Sequence, residues 1–148
     1  MTDPVPAHLT TVTPRLVVAD GLAAIDFYRR AFGAEERGDR FITPDGAVIH
    51  AEIRIGDAIV MITEEPVDTE APARPPAAAG AVVTAIMETY WPNVDAAWER
   101  ALSAGAEVIF PLEDQFYGDR AGRIRDPFGH QWILSQRLRE LSPADLRP

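Results

Sequence analysis

The sequence contains no cysteine and no lysine, and it has only three histidines, His8, His50 and His130. Without cysteine, disulfide bonds, thiolate metal sites and a thiol nucleophile are all excluded. Because all fourteen basic residues are arginine, a Schiff-base lysine and a lysine general base are excluded as well. The three histidines are the only imidazoles left for acid–base chemistry or metal binding.

Positive charge is scarce relative to negative charge, and long apolar runs are missing. The 148 residues carry a formal net charge of −9, which argues against nucleic acid as a partner because phosphates attract a basic surface. No apolar run approaches the length of a membrane span, and the first residues lack the basic start and apolar core of a signal peptide. We therefore expect a cytoplasmic protein with no membrane contact.

Two common catalytic patterns are also missing, a serine triad and a glycine-rich phosphate loop before a helix. What the sequence does have is a hydrophobic fraction of 47%, which supports a real core. The length suits one compact domain, or two small modules that share a core.

Residues 48–63 are the clearest structural signal, and they predict a β-hairpin. Two runs of β-forming residues flank Gly56-Asp57, and glycine in the first position of a two-residue loop is typical of a type II′ turn. Side chains alternate along a strand, so one predicted face packs under a helix and carries Ile49, Ala51, Ile53, Ile55, Val60 and Ile62. The other face mixes ionisable and apolar groups, as cavity walls do, and carries His50, Glu52, Arg54, Ile59, Met61 and Thr63.

The two halves of the chain repeat one pattern with a period of about 73 residues, the separation of Asp20 from Asn93. These two residues each cap a predicted helix, and Gly33 and Gly105 end the two helices. One predicted strand precedes each helix and three follow it. The pattern indicates a duplicated βαβββ module, with an ordinary α+β domain of unrelated halves as the alternative. The predicted helices span residues 21–32 and 94–104.

The repeat also sets the predicted organisation of the chain. We assign a single domain over 1–148, with a first module over 10–64, a linker rich in proline and alanine over 65–80, a second module over 81–137 and a tail over 138–148. The first strand of the second module is predicted over 81–90. Its last hairpin is predicted to place Ile124 opposite Trp132 across a five-residue loop.

Several motifs resemble a known family. The run DQFYGDR at 114–120 and the run DPFGHQW at 126–132 are similar to the second half of vicinal oxygen chelate proteins, the superfamily of glyoxalase I, bleomycin-resistance proteins and extradiol dioxygenases. In the first half, VVAD at 17–20 and the helix that follows are similar to the opening of that family. The ending most resembles the PhnB-like branch. The resemblance implies an α+β fold of two tandem βαβββ modules whose sheets curl round a shared cleft, and often a homodimer.

The resemblance also implies where metal ligands would lie. Enzymes of this superfamily place histidine or glutamate on the first and fourth strands of each module, and those positions fall on Thr13, Met61, Ile86 and Ile133. None of these side chains is a good ligand for a divalent ion. We therefore expect no cofactor. The alternative is a divalent metal ion held at a displaced site.

The residues that would form a displaced site are His50 and Glu52, with Glu88 from the second module. In the competing structural interpretation, His50 only hydrogen-bonds within the cavity wall, while Glu52 and Arg54 pair with their neighbours. Without a metal, His50 beside Glu52 is the candidate catalytic pair. The carboxylate would orient the imidazole and stabilise the imidazolium that forms when a general base takes up a proton.

Other residues are candidates for ligand binding. Tyr90 and Tyr117 can donate to an oxyanion, and Arg54, Arg123 or Arg125 can hold a carboxylate. A structural alternative pairs Arg123 and Arg125 with Asp119 or Glu113, and treats Asp119 and Arg120 as a pair that fixes the loop. The remaining candidates for the binding wall are Ile59, Met61, Thr63, Ile86, Glu88, Phe116 and Ile133.

Two functions follow from these residues. The first is a metal-independent protein that binds and sequesters a small aromatic, cationic or drug-like molecule. Such a protein would be similar to bleomycin-resistance proteins and could confer antibiotic resistance by sequestration. The second is a glyoxalase-like lyase or isomerase that uses a non-standard metal site or His50 as general base. The missing family ligands favour the first.

Overall fold

The repeated pattern folds into two units, Met1–Pro75 and Pro76–Pro148, in a computed structural model that describes residues 2–65, 73–76 and 82–146. Most of the predicted linker over 65–80 lies outside the described residues. Neither α-helix in the described part of the chain has the length and apolar character needed to cross a lipid bilayer.

The first unit contains one helix and a four-stranded sheet. In chain order the elements are β1 (Arg15–Val17), α1 (Gly21–Phe32), β2 (Glu35–Ile42), β3 (Val48–Ile55) and β4 (Ala58–Thr63). The strand order is β1-β4-β3-β2, with β1 parallel to β4 and the other pairs antiparallel. Helix α1 packs on β3 and β4, and its buried face joins the buried face of the sheet to form the core of this unit.

The predicted hairpin is confirmed at its turn and corrected at its far end. Gly56 has φ 58°, as a type II′ turn requires, and Glu52 pairs with Met61 as predicted. Ile49, however, was wrongly placed on the helix-facing side: it is 43% exposed, and Val48 is fully buried instead. The cause is a register shift between β2 and β3 near these residues, since one extra residue in a strand reverses the faces beyond it.

The second unit repeats the architecture. Its elements are β5 (Met87–Tyr90), α2 (Val94–Ala104), β6 (Glu107–Asp114), β7 (Asp119–Arg125), β8 (Gln131–Arg137) and a short 3₁₀ helix (Pro143–Leu146). The strand order is β5-β8-β7-β6, with β5 parallel to β8. The predicted pairing of Ile124 with Trp132 is confirmed.

The first strand of the second unit is shorter than predicted. It begins at Met87, which pairs with Trp132, whereas residue 81 lies outside the described part and residues 82–86 are not in a strand. Its partner β8 begins at Gln131, which the register places opposite Ile86, so the residues before Ile86 have no adjacent residue of β8 to pair with. The alternation over 82–85 therefore has no sheet to support it.

Both helices begin and end as the sequence predicts. Asp20 accepts a hydrogen bond from the backbone N–H of Ala23, and Asn93 accepts one from Ala96. Both units also share a contact at the helix N-terminus. In each, a side chain within or just after the last strand accepts a hydrogen bond from the first backbone N–H of the helix. Glu64 accepts from Gly21 at 3.0 Å and Gln136 accepts from Val94 at 3.0 Å.

The two units agree in their elements, in their strand order and in their contacts at the helix N-terminus. Two units with the same order of elements, the same strand arrangement and the same contact at the helix N-terminus confirm the predicted α+β fold of two tandem βαβββ modules.

Candidate functional site

The predicted catalytic pair lies on the sheet face of the first unit that is turned away from α1. His50 and Glu52 are two residues apart on β3, and the imidazole Nε2 lies 3.7 Å from Glu52 Oε1. The ring of Phe41 on β2 lies beside His50, with 5.7 Å between the ring centroids. The pair therefore meets as the hairpin alternation predicts, in a half-buried position.

A third residue joins this pair. His8 precedes the first strand, and its Nε2 lies 3.0 Å from Glu52 Oε2. Glu52 therefore has one imidazole at each of its carboxylate oxygens. Sequence reasoning missed His8 because the contact spans 44 residues and because no periodic pattern leads to it.

The donor set does not fit the metal chemistry of the resembled enzymes. The four positions carried over from the family hold a hydroxyl, a thioether and two aliphatic side chains, which are poor ligands for divalent ions. Within the described ranges, no group of three or more histidine, aspartate or glutamate side chains is arranged to hold a metal ion. Glu88, the third member of the displaced set, lies on β5 of the second unit.

Four further candidates share the sheet face of His50. Arg54 is exposed and pairs in register with Glu35. Met61 is half-buried, and its sulfur lies 3.5 Å from an arginine of β1. Ile59 and Thr63 are 8% and 3% exposed, and the Thr63 hydroxyl donates to a backbone carbonyl of β3. Arg54 and Met61 are thus accessible to a ligand on this face, whereas Ile59 and Thr63 are buried.

A small pocket lies on the second unit. Its volume is about 170 Å³. It is built on β6, β7 and β8 and on the loop between β6 and β7, and it combines aromatic, aliphatic, amide and guanidinium groups. The lining residues are Phe110, Gln115, Tyr117, Ala121, Gly122, Arg123 and Ile133. Three of these, Tyr117, Arg123 and Ile133, were predicted to bind a ligand.

Register explains why this pocket brings Phe110 to Arg123. The two residues pair across β6 and β7, and the guanidinium carbon lies 5.3 Å from the centroid of the Phe110 ring. The register shifts on either side of Phe110, so simple counting from the last hairpin does not find this contact. Gln115 was missed for a different reason: it lies in the loop, where its amide donates to the Ala121 carbonyl at 3.1 Å.

Arg123 itself is not paired with a carboxylate in the described part of the chain. Its Nη1 donates to Gln131 Oε1 over 3.4 Å, and its buried Nε has no hydrogen-bond partner among the described residues. The alternative pairing of Arg123 or Arg125 with Asp119 or Glu113 is wrong for both, since Arg125 pairs with Glu107 at 3.2 Å.

The two candidate tyrosines differ in their environment. The Tyr90 hydroxyl donates to Asp119 at 2.8 Å, and this hydrogen bond, more than burial and nearby negative charge, raises the pKa of Tyr90 to about 12. Burial and then the charges of Asp119 and Glu88 raise the pKa of Tyr117. Because the proton of Tyr90 is already held by Asp119, Tyr117 is the tyrosine placed to donate to a ligand.

The predicted pair of Asp119 and Arg120 does not form. Asp119 is buried and accepts from Tyr90, while Arg120 makes ion pairs with Asp95 at 2.9 Å and Asp114 at 3.1 Å. Adjacent residues on a strand face opposite sides of the sheet, so these two side chains diverge.

The remaining candidates of the second unit lie outside the pocket lining. Phe116 is 78% exposed and packs edge-on against Tyr117. Ile86 is 37% exposed and precedes β5, while Glu88 pairs with Ile133 in register and is exposed. The pocket is therefore formed by part of the predicted set together with Phe110, Gln115, Ala121 and Gly122.

Comparison with known proteins agrees with this architecture. Residues 6–134 match the family model described as the Glyoxalase/Bleomycin resistance protein/Dioxygenase superfamily. The chain is 43% identical over 137 residues to uncharacterized protein Rv0887c of Mycobacterium tuberculosis, an alignment that covers 92% of this chain and 79% of that protein. Uncharacterized protein Mb0911c of Mycobacterium bovis shows the same identity over 92% of this chain and 89% of its own.

Solved structures give the same result. TioX from Micromonospora sp. ML1 is similar with a TM-score of 0.63 and 26% identity, over 90% of this chain and 100% of that chain. The PhnB protein of Bacillus cereus, described as a putative 3-demethylubiquinone-9 3-methyltransferase, is similar with a TM-score of 0.63 over 86% of this chain and 99% of that chain. At 18% identity, the second likeness concerns the fold alone.

Proposed function

Because this chain belongs to the Glyoxalase/Bleomycin resistance protein/Dioxygenase superfamily, we propose that it acts as a metal-independent protein that binds a small molecule. The small pocket on β6, β7 and β8 is the observation that carries the proposal. It combines an aromatic and aliphatic wall with a few convergent polar groups, Tyr117, Gln115 and Arg123, and this combination is characteristic of ligand sites.

The donor set supports binding without a metal. Thr13, Met61, Ile86 and Ile133 stand where enzymes of the superfamily carry their ligands, and these side chains cannot coordinate a divalent ion well. A ligand must then be held by apolar contact, hydrogen bonds and the Arg123 charge.

The volume of the pocket restricts the ligand. Sites for drug-sized molecules have volumes of roughly 300–1,000 Å³, whereas this pocket has about 170 Å³. The size therefore favours a small aromatic metabolite over a drug-sized molecule as the ligand of this pocket.

A melting-temperature screen against small aromatic compounds tests this proposal. A compound that binds the folded state raises the melting temperature in proportion to the logarithm of its concentration. We expect Phe110→Ala to weaken such binding about 3- to 10-fold, since an aromatic contact contributes roughly 0.5–1.5 kcal/mol. Val108→Ala on the same strand is the matched control, because Val108 is similarly exposed and lies outside the pocket. Equal effects of the two substitutions would contradict the proposal.

A second function is supported by a different observation. His50 Nε2 lies 3.7 Å from Glu52, which also contacts His8 at 3.0 Å, and a carboxylate that orients an imidazole is typical of general-base catalysis. A glyoxalase-like lyase or isomerase would use His50 to remove a proton beside a carbonyl. Exchange of the α-protons of hydroxyacetone in D₂O, followed by NMR, tests this: His50→Gln should abolish the protein-dependent rate, and a rate equal to that of buffer would rule it out.

Two properties stay predictions. The superfamily resemblance predicts a homodimer, which sedimentation equilibrium would detect. The second is a cytoplasmic location, which cell fractionation would test.

A further inference from the structure

Arg123 differs from its neighbours on β7 in its charge environment. Arg120 makes ion pairs with two aspartates and Arg125 with Glu107, whereas Arg123 has no ion pair with any carboxylate in the part of the chain that the structure describes. Its polar contact there is a long hydrogen bond of 3.4 Å to Gln131, and its Nε–H is buried without an acceptor. Buried or half-buried guanidinium groups are normally paired, so this side chain lacks the anion that would complete it.

The Arg123 guanidinium, which has no ion pair among the described residues, lies in the wall of the small pocket. Arg123 lines the pocket of about 170 Å³, and the Phe110 ring lies against its guanidinium, which restricts the side chain to the pocket wall. Tyr117 lines the same pocket, and its hydroxyl, which is protonated at neutral pH as in any tyrosine, can donate a hydrogen bond. Two donors, one of them cationic, thus line one pocket together with the aromatic ring of Phe110 and the aliphatic side chain of Ile133.

We propose that the pocket selects a small monocarboxylate with a planar or aromatic body. The carboxylate would accept from the terminal nitrogens of Arg123 and from the Tyr117 hydroxyl, and the body would lie against Ile133 and the Phe110 ring. The inference rests on the proposed function, since it names the class of ligand for the same site. It also decides between the anionic and cationic ligands that composition alone leaves open, because Arg123 in the pocket wall repels a cation.

The nearby acidic groups are compatible with an anionic ligand. Asp119 is buried, and its carboxylate is hydrogen-bonded to Tyr90. Glu88 is exposed, where water screens its charge. Arg123 is the charged side chain in the pocket lining and sets the sign of the site.

Calorimetric titration with three probes of one shape tests the proposal: benzoate, benzamide and benzamidinium. Hydrogen bonds to charged groups are stronger than neutral ones, so we expect benzoate to bind the unmodified protein about tenfold or more tighter than benzamide, and benzamidinium to bind weakest. Arg123→Gln should bring the affinities for benzoate and benzamide to within about twofold of each other. Arg120→Gln removes the same charge from the same strand outside the pocket and should leave the ratio unchanged.

Arg123→Lys keeps the charge without the planar fork and should retain part of the preference for benzoate. It also allows the preference for benzoate to be measured if Arg123→Gln does not fold. Equal affinities for all three probes would overturn the carboxylate preference and leave the proposed binding function intact. A preference for benzamidinium, or a benzoate preference that survives Arg123→Gln, would overturn it as well. Failure of all three probes, and of the wider aromatic screen, would overturn both.

Discussion

Asp126 organises the last hairpin through its buried carboxylate. It accepts hydrogen bonds from the backbone N–H of Phe128 at 2.9 Å, from that of His130 at 3.0 Å and from the Trp132 indole at 2.9 Å. The second half of the family motif at 126–132 is therefore a structural device, in which one carboxylate closes the loop and satisfies the donor of a buried tryptophan.

Removing this carboxylate should strongly destabilise the fold. Asp126→Ala leaves the buried Trp132 N–H without this acceptor, and an unsatisfied buried donor costs about 1–3 kcal/mol. With two loop N–H groups also affected, we expect a loss of about 3 kcal/mol in the free energy of unfolding, measured by urea denaturation. Asp39→Ala, at an exposed site, is the control. A loss under 1 kcal/mol for Asp126→Ala would show that the loop does not depend on it.

Tyr90 makes stability depend on pH in the alkaline range. Its pKa is raised to about 12 in the folded state, first by the hydrogen bond to Asp119, against about 10 when unfolded. Between these values the folded state binds more protons, so stability falls as pH rises. The contribution is complete below pH 10 and is lost as pH approaches 12.

The stability advantage of the unmodified protein over Tyr90→Phe should therefore shrink between pH 9 and pH 11. Urea unfolding at both pH values measures it. An advantage that stays constant or widens would mean that the hydrogen bond to Asp119 does not hold the Tyr90 proton.

Some of the site residues could be predicted and others could not. Alternation along β3 was enough to bring His50 next to Glu52, because alternation is a local property of a strand. His8 and Phe110 could not be found in this way. The first contact depends on where an aperiodic segment folds back, and the second on register shifts that no local propensity encodes.

Among the elements, α2 and β7 depend on each other through a single glycine. A Cβ added to Gly122 would lie 2.6 Å from two ring carbons of Trp98 and 2.9 Å from the Cα of Leu112. The helix can approach the sheet at this point only because residue 122 has no side chain.

Gly122→Ala should cost about 1–3 kcal/mol, the usual range for overpacking a core. Trp98→Phe removes part of the indole ring, so the same glycine substitution should cost less in that background, with a coupling energy above about 0.5 kcal/mol. Urea denaturation of the two single variants and the double variant gives this value. Strictly additive costs would show that the ring does not set the approach of α2.

The ends of the helices could be predicted from the sequence, whereas the start of one strand could not. Helix ends were predictable because the capping side chain and the terminal glycine each lie next to the helix end that they mark. The start of β5 was not, since a strand extends only as far as its partner β8. In the first unit, likewise, Val48 rather than Ile49 is buried because β2 and β3 shift register.

At the scale of the whole molecule, the chain is a duplicated module whose two copies carry different chemistry. Both copies share the strand order and the contact of the last strand with the helix N-terminus. On the exposed sheet face, however, the first unit has the imidazole–carboxylate cluster around Glu52, and the second has the pocket beside Arg123. The two copies thus share one fold, and the proposed binding site lies in the second copy.

We propose that this pocket binds a small aromatic carboxylate without a metal. The most direct test is an amide NMR titration with benzoate, on protein treated with EDTA and shown to be metal-free by elemental analysis. We expect saturable shifts centred on Phe110, Ala121, Arg123 and Ile133, unchanged when zinc is added. Saturable shifts that appear only with zinc, or that centre on His50 and Glu52, would contradict it.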